Sequence, residues 1–204
     1  IQMKQIKIAV LALLTFASLS SCNNEDFGDN YNKDANGIYS ADNRSLLSGA
    51  IVNFSQNGGN AYFMAPQLYV QHQSQVTYTT EQQYGLIAGA WSRYYVNQIK
   101  NLDTIIQNYA NPTPEMLEQG SAQNMTGVAK IFRAIIYKRL TDTYGDAPYT
   151  EANKGINLPK FDKQEDIYKS LIAELKAGRD MLNSAQTKPT GDPLYDGNVD
   201  KWKK

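Results

Sequence analysis

The spacing of apolar residues between Ala122 and Leu140 constrains this chain more than any other feature. Met125, Val128, Ala129, Phe132, Ile135, Ile136 and Leu140 recur at three- and four-residue intervals. That spacing gathers side chains along one side of an α-helix turning every 3.6 residues. The same rhythm returns in Leu46, Leu47, Ala50, Ile51 and Phe54; in Trp91, Tyr95, Gln98, Leu102, Ile105, Ile106 and Tyr109; and in Ile167, Leu171, Leu175, Gly178 and Leu182. No convincing period-two alternation accompanies it, so the fold class is all-α. Stripes of this kind are buried by pairing helices. Antiparallel pairs of about 20-residue helices have the dimensions of tetratricopeptide units, although a strict 34-residue consensus does not align.

The breaks between stripes follow local chemistry. Ser40 is placed to cap a helix running to about Gln56, and Asn57-Gly58-Gly59 breaks it. A second helix is expected over 60–77, starting or kinking at Pro66, and a third over 90–109, stopped by Asn111-Pro112. Thr113 then caps a new start with Pro114 in the first turn, and Gly120 interrupts it. Gly145 is positioned as a left-handed terminator of the longest helix, with Pro148 blocking re-entry. A loop is expected over 146–161. Asp162-Lys163-Gln164-Glu165 reads as an Asp variant of the capping box, opening the last clear helix. A further helix is expected to open at Asp200-Lys201-Trp202 with no room to finish before Lys204, which reads as a truncated product.

The amino terminus has a different logic. Lys4 and Lys7 form a short basic region, and Ile8 to Ala17 is an uncharged apolar run. The run is shorter than the roughly 20 residues a spanning helix needs and matches the apolar segment of an export signal. Leu19-Ser20-Ser21-Cys22 resembles the bacterial lipobox, in which a cysteine thiol forms a thioether to diacylglycerol and becomes the mature amino terminus. Cys22 is the only cysteine of the chain. Two or three acyl chains, palmitate among them, hold a protein stably to a membrane, at about 0.8 kcal/mol per buried methylene. The expected organisation is a signal peptide over 1–21, a flexible lipid-anchored tether over 22–38, and a helical domain over 39–204. Asn23-Asn24-Glu25-Asp26 and the polar residues to Gly37 fit a tether, which at full extension reaches about 50 Å.

Composition narrows the functional classes. Lys plus Arg equals Asp plus Glu at 20 each, so a basic nucleic-acid surface is not indicated. One cysteine and one histidine, His72, leave no cysteine zinc site, and no G-x-S-x-G elbow accompanies His72. Metal and cofactor are expected to be none, and catalytic residues none. Asp103, Glu118, Asp142, Asp146, Glu151 and Asp166 are the carboxylates a glycoside hydrolase would draw on, but on the helical reading most are solvated faces, caps or turn residues. Tyrosine is abundant, 14 against 6 phenylalanines. Tyr62, Tyr69, Tyr78, Tyr84, Tyr94 and Trp91 are available to stack on a sugar, and each also suits helix packing. The ligand-binding residues stay unknown.

Four sequence features together resemble the SusD/RagB family of Bacteroidetes outer-membrane lipoproteins. They are the lipobox ending at Cys22; Trp91-Ser92-Arg93-Tyr94-Tyr95 on a helix; Phe132-Arg133-Ala134 leading through Leu140-Thr141-Asp142-Thr143 to the turn Tyr144-Gly145-Asp146-Ala147-Pro148-Tyr149; and Gln164 to Leu182 followed by Gly191-Asp192-Pro193-Leu194-Tyr195-Asp196-Gly197 and Lys201-Trp202. The turn residues Tyr144, Gly145, Asp146 and Pro148 serve as a structural fingerprint. The resemblance implies a surface-exposed lipoprotein of the outer membrane that captures glycans, peptides or other nutrients. It implies delivery to a TonB-dependent, SusC-like transporter, and binding without catalysis. Family members are about twice this length or more, so the chain corresponds to an amino-terminal part. Two other readings stand beside it, a helical adaptor within an outer-membrane complex and a carboxylate-dependent hydrolase.

Overall fold

The computed structural model describes residues 42–56, 64–77, 79–85 and 91–204. The leader, Cys22, the tether, Ser40, Tyr62, Tyr78 and Ala90 lie outside them. The described residues are helical, and their one extended pairing is an isolated antiparallel bridge between Ala147 and Asp162. No helix among them is long and apolar enough to cross a membrane.

Helix α1 (Asn43–Gln56) buries Leu47, Ala50 and Ile51. It opens at Asp42, whose carbonyl accepts from the Leu46 N–H at 3.0 Å and whose carboxylate accepts from Arg44 Nε at 2.8 Å. Helix α2 (Ala65–Tyr69) carries Pro66 in its first turn, as the fixed proline φ favours, and stops well short of the expected end at Thr77, while residues 60–63 of the expected helix lie outside the described residues. Beyond Tyr69 the residues are Val-Gln-His-Gln-Ser-Gln-Val-Thr, which offer no inward stripe. Gln71 takes φ 59, and Val76 is 98% exposed. A helix with no face to bury has little to stabilise it in water.

The third stripe forms one continuous helical run over 91–108, of α3 (Trp91–Tyr94), a π-helical turn (Tyr95–Ile99) and α4 (Lys100–Asn108). The Lys100 N–H reaches back five residues to the Tyr95 carbonyl. From Gln98 onward the expected stripe holds, with Gln98, Leu102, Ile105 and Tyr109 buried. Ahead of the wide turn it slips by one residue: Tyr94 is buried and Tyr95 only half-buried. Helix α5 (Pro114–Glu118) is capped by Thr113, whose Oγ1 accepts from the Met116 N–H.

Helix α6 (Ala122–Tyr144) is the central element. Met125, Val128, Ala129, Phe132, Ile136 and Leu140 are buried against α1 and α4. Ile135, counted in the sequence stripe, is 38% exposed because it points between the core side and the α7 side. Gly145 ends the helix at φ 77, ψ −127, a conformation reserved for glycine but distinct from the left-handed helical cap expected of it. Helix α7 (Gln164–Met181) packs antiparallel on α6: Gly178 meets Gly127, Glu174 meets Arg133, and the Gln164 side chain donates to the Thr141 carbonyl at 2.7 Å. The inward face of α7 is Ile167, Leu171, Glu174 and Gly178, and Leu175 turns outward.

The capping box expected at Asp162 does not form. Lys163 stands at the helix start without a side-chain cap, and Asp146 accepts the Gln164 N–H at 2.9 Å instead. Asp162 is drawn away by three donors across the loop, the N–H groups of Tyr149 and Thr150 and the Thr150 hydroxyl. Burial pushes its carboxyl up, but these donors and Lys160 outweigh that and hold it below the usual range.

Beyond α7 the chain is stitched back onto α6. Buried Asn124 donates to the Asn183 and Thr187 carbonyls at 3.0 Å and accepts the Asn183 N–H at 2.8 Å. Asp192 accepts from the N–H groups of Leu194 and Gly197 and from Trp202 Nε1 at 2.7 Å. This seats α8 (Val199–Trp202) so that Trp202 meets Phe132 edge-on at 6.2 Å.

Candidate functional site

The helices α4, α6 and α7 and the 146–161 loop meet around Arg133. Its Nε donates to Glu174 Oε1 at 2.8 Å, Nη2 donates to the same oxygen, and Nη1 donates to Asp103 Oδ1. The remaining carboxylate oxygens are also engaged: Asp103 Oδ2 accepts from Asn153 Nδ2 at 2.8 Å, and Glu174 Oε2 accepts from the Tyr149 hydroxyl at 3.0 Å. These side chains are largely withdrawn from water, with 23% of Arg133, 16% of Asp103 and 7% of Glu174 exposed. Burial alone would lower the Arg133 pKa, but the charges of Glu174 and Asp103 reverse this and raise it, so the guanidinium is firmly charged.

Tyrosines wall this cluster. Tyr137 and Tyr149 meet edge-to-face at 4.8 Å, and Tyr95 lies 6.3 Å from Tyr137. The Tyr95 hydroxyl donates to the Pro148 carbonyl at 2.9 Å, pinning the loop. Burial first, then nearby carboxylates, pushes all three phenols upward: Asp162 acts on Tyr95, Asp103 on Tyr137, and Glu174 on Tyr149. They stay neutral donors at any physiological pH. Between the helices and the loop opens a cleft of about 410 Å³, lined by Asp103, Arg133, Tyr137, Tyr149, Asn153 and Lys154 among others. That lies within the roughly 300–1,000 Å³ of small-ligand clefts. Among the described residues no group of three or more His, Cys, Asp or Glu side chains is placed to hold a metal ion.

The residues singled out from sequence scatter. Of the carboxylates a hydrolase would draw on, only Asp103 joins the cluster. Asp142 pairs with Lys138 and Tyr168, Glu151 accepts the Lys160 N–H, and Glu118 and Asp166 face solvent. His72 is exposed. Tyr69 and Tyr84 stack on each other at 5.6 Å, and Tyr94 is core. Tyr144 packs edge-on against Trp91 at 4.9 Å, which also stacks on Phe161 at 6.0 Å, and Pro148 is buried beside Tyr95. Arg133, Tyr137, Glu174, Tyr149 and Asn153 were not singled out as site residues. Two carried a legible signal: Glu174 lies in register with Ile167, Leu171 and Gly178, and Arg133 follows Phe132 on the core side of α6. A charge on an apolar stripe needs a buried partner.

Comparison with known proteins places this architecture. Residues 35–204 match the SusD-like family model described as starch-binding associating with outer membrane. A solved chitin-binding protein is 32% identical, with a TM-score of 0.65, over 79% of this chain and 36% of its own length. A Bacteroidetes SusD-like protein is 28% identical, also at TM-score 0.65, over 80% of this chain and 31% of its own. A SusD homologue from Bacteroides fragilis shares the fold at 23% identity and TM-score 0.59, over 80% of this chain and 33% of its own. The chain thus spans about a third of the length of these solved relatives. No curated protein matches it. With its paired, tetratricopeptide-like helices and a family match running from residue 35 to the last residue, the chain belongs to the SusD-like family.

Proposed function

We propose that this chain is part of a surface nutrient-binding lipoprotein that captures glycans and passes them to a TonB-dependent outer-membrane transporter. The observation that carries the reading is the family match over residues 35–204, whose description joins starch binding to the outer membrane. The 32% identical chitin-binding protein supports a glycan as cargo. On this reading residues 1–21 are the export signal, Cys22 takes the lipid, residues 22–38 are the tether, and the domain from residue 39 is the capturing body. The protein binds its cargo without transforming it and needs no cofactor. The Tyr144-Gly145-Asp146 turn with Pro148 is structural: it joins α6 to the loop that walls the cleft.

The test is retention of the full chain on insoluble starch and chitin, with release by soluble oligosaccharide and analysis of the released sugar. Retention with the sugar recovered intact is the expected result. Passage straight through both matrices, or cleavage of the sugar, overturns the reading. For the anchor, wild type is expected to partition into the membrane fraction and Cys22→Ala into the soluble fraction. Equal membrane retention of the variant would remove lipidation from the account.

A further inference from the structure

The cleft over Arg133 holds more hydrogen-bonding capacity than the protein itself uses. Arg133 has five N–H donors and spends three of them, on Glu174 and Asp103. Asp103 Oδ1 and Oδ2 and Glu174 Oε2 each accept one hydrogen bond and keep a second lone pair. Tyr137 is 3% exposed, lines the cleft, and its hydroxyl makes no hydrogen bond among the described residues. The hydroxyl opens on the cleft, where a bound group can take up its hydrogen bond.

The kind of ligand follows from charge. Asp103 and Arg133 line the cleft as an ion pair, Glu174 backs Arg133 from behind, and Lys154 stands on the rim, so opposite charges largely offset one another and no strong excess of either sign selects an ion. What it offers is acceptors and donors side by side on one floor, with half-buried Tyr149 as an aromatic wall. Vicinal hydroxyls match such a floor, since each can donate to a carboxylate while accepting from a guanidinium N–H or a phenol. The C–H face of a sugar ring suits the wall. We infer that the cleft between α4, α6 and the 146–161 loop, floored by Asp103, Arg133 and Tyr137 and walled by Tyr149, is a subsite for a neutral mono- or disaccharide unit. This rests on the glycan-capture reading and assigns one position within it.

The experiment is titration calorimetry of the full chain with maltotriose and chitotriose, for wild type, Tyr137→Phe and Ala152→Trp. Tyr137→Phe removes a hydroxyl that makes no hydrogen bond among the described residues, so the fold is expected to persist. Ala152→Trp fills the cleft from its lining. The expected result is about a tenfold weaker Kd for Tyr137→Phe with at least one of the sugars, the loss of one hydrogen bond, and no detectable binding for Ala152→Trp. The fully deacetylated glucosamine trimer, which is cationic, is expected to bind no tighter than chitotriose. Wild-type affinity in both variants overturns the subsite while leaving glycan capture standing. Tighter binding of the cationic trimer overturns the neutral-ligand assignment. Failure of wild type to bind either sugar removes the subsite and counts against the capture reading as well.

Discussion

At one end of the α6–α7 pair, Gly127 and Gly178 let the two backbones approach until a β-carbon on either would press on the other's carbonyl oxygen, at 2.8 and 2.9 Å. Midway along, about two turns away, the same helices are held by Arg133 reaching across to Glu174 and on to Asp103 of α4. The first contact is dry and depends on the absence of side chains. The second depends on charge, neutral phenols and a network of hydrogen bonds that leaves some donors and acceptors unused. One helix pair therefore contains a rigid seam and a polar junction, and the cleft opens at the junction. Close-packed ends leave no room for a ligand, whereas a polar junction leaves donors and acceptors over.

The seam is the more fragile under substitution. Gly178→Val is expected to cost about 3 kcal/mol or more, because the contacts are to the Gly127 carbonyl and Ile131 Cγ1 and only separation of the helices relieves them. A thermal melt like that of wild type would show that close approach is not what holds this end. Glu174→Ala comes next, at about 2–3 kcal/mol, since it strands part of the Arg133 charge and the Tyr149 hydroxyl. A double-mutant cycle with Arg133→Met should return part of that loss; strict additivity would break the claim of a coupled junction.

Alkali should attack the junction and spare the seam. Folding favours the neutral form of Tyr95, Tyr137 and Tyr149, whose folded pKa values lie above the unfolded value near 10. Their contribution is complete below pH about 10 and is lost as pH rises from there towards the folded values. Urea midpoints measured from pH 8 upward should fall beyond that point, and less steeply in a Tyr95→Phe, Tyr149→Phe variant. Gln98→Met should stabilise by about 1 kcal/mol, because both polar atoms of the buried Gln98 amide lack a hydrogen-bond partner among the described residues. Leu175→Gln should lie within about 0.5 kcal/mol of wild type by urea denaturation, since Leu175 is on the outward side of α7.

Much of the helical framework was legible because burial writes a period into the sequence. The α6 stripe, the Thr113 cap and the stop at Gly145 all follow from local spacing or from one residue's backbone preference. What could not be read was what depends on partners far along the chain. Asp162 has the right neighbours for a capping box, yet Tyr149 and Thr150 claim it across the loop, while Asp146 takes the vacated role. Leu171 and Leu175 look alike in sequence, and only the crossing of α7 over α6 turns one inward and the other out. The cleft was hidden for the same reason: Asp103, Arg133 and Glu174 come from three helices, and no local pattern joins them.

The wide turn at Tyr95–Ile99 has a bearing on how this helix compares with any other. It absorbs one residue beyond the α-helical repeat, so the residues before and after it are in different phase around the axis. A relative lacking that extra residue would form a regular α-helix with the equivalent of Tyr94 still toward the core. Drawing the turn into α-helical form with the residue kept should instead swing the Trp91 end about 100° around the helix, bringing Tyr95 to the core side and carrying Trp91 away from Tyr144 and Phe161 while the contacts of α4 persist.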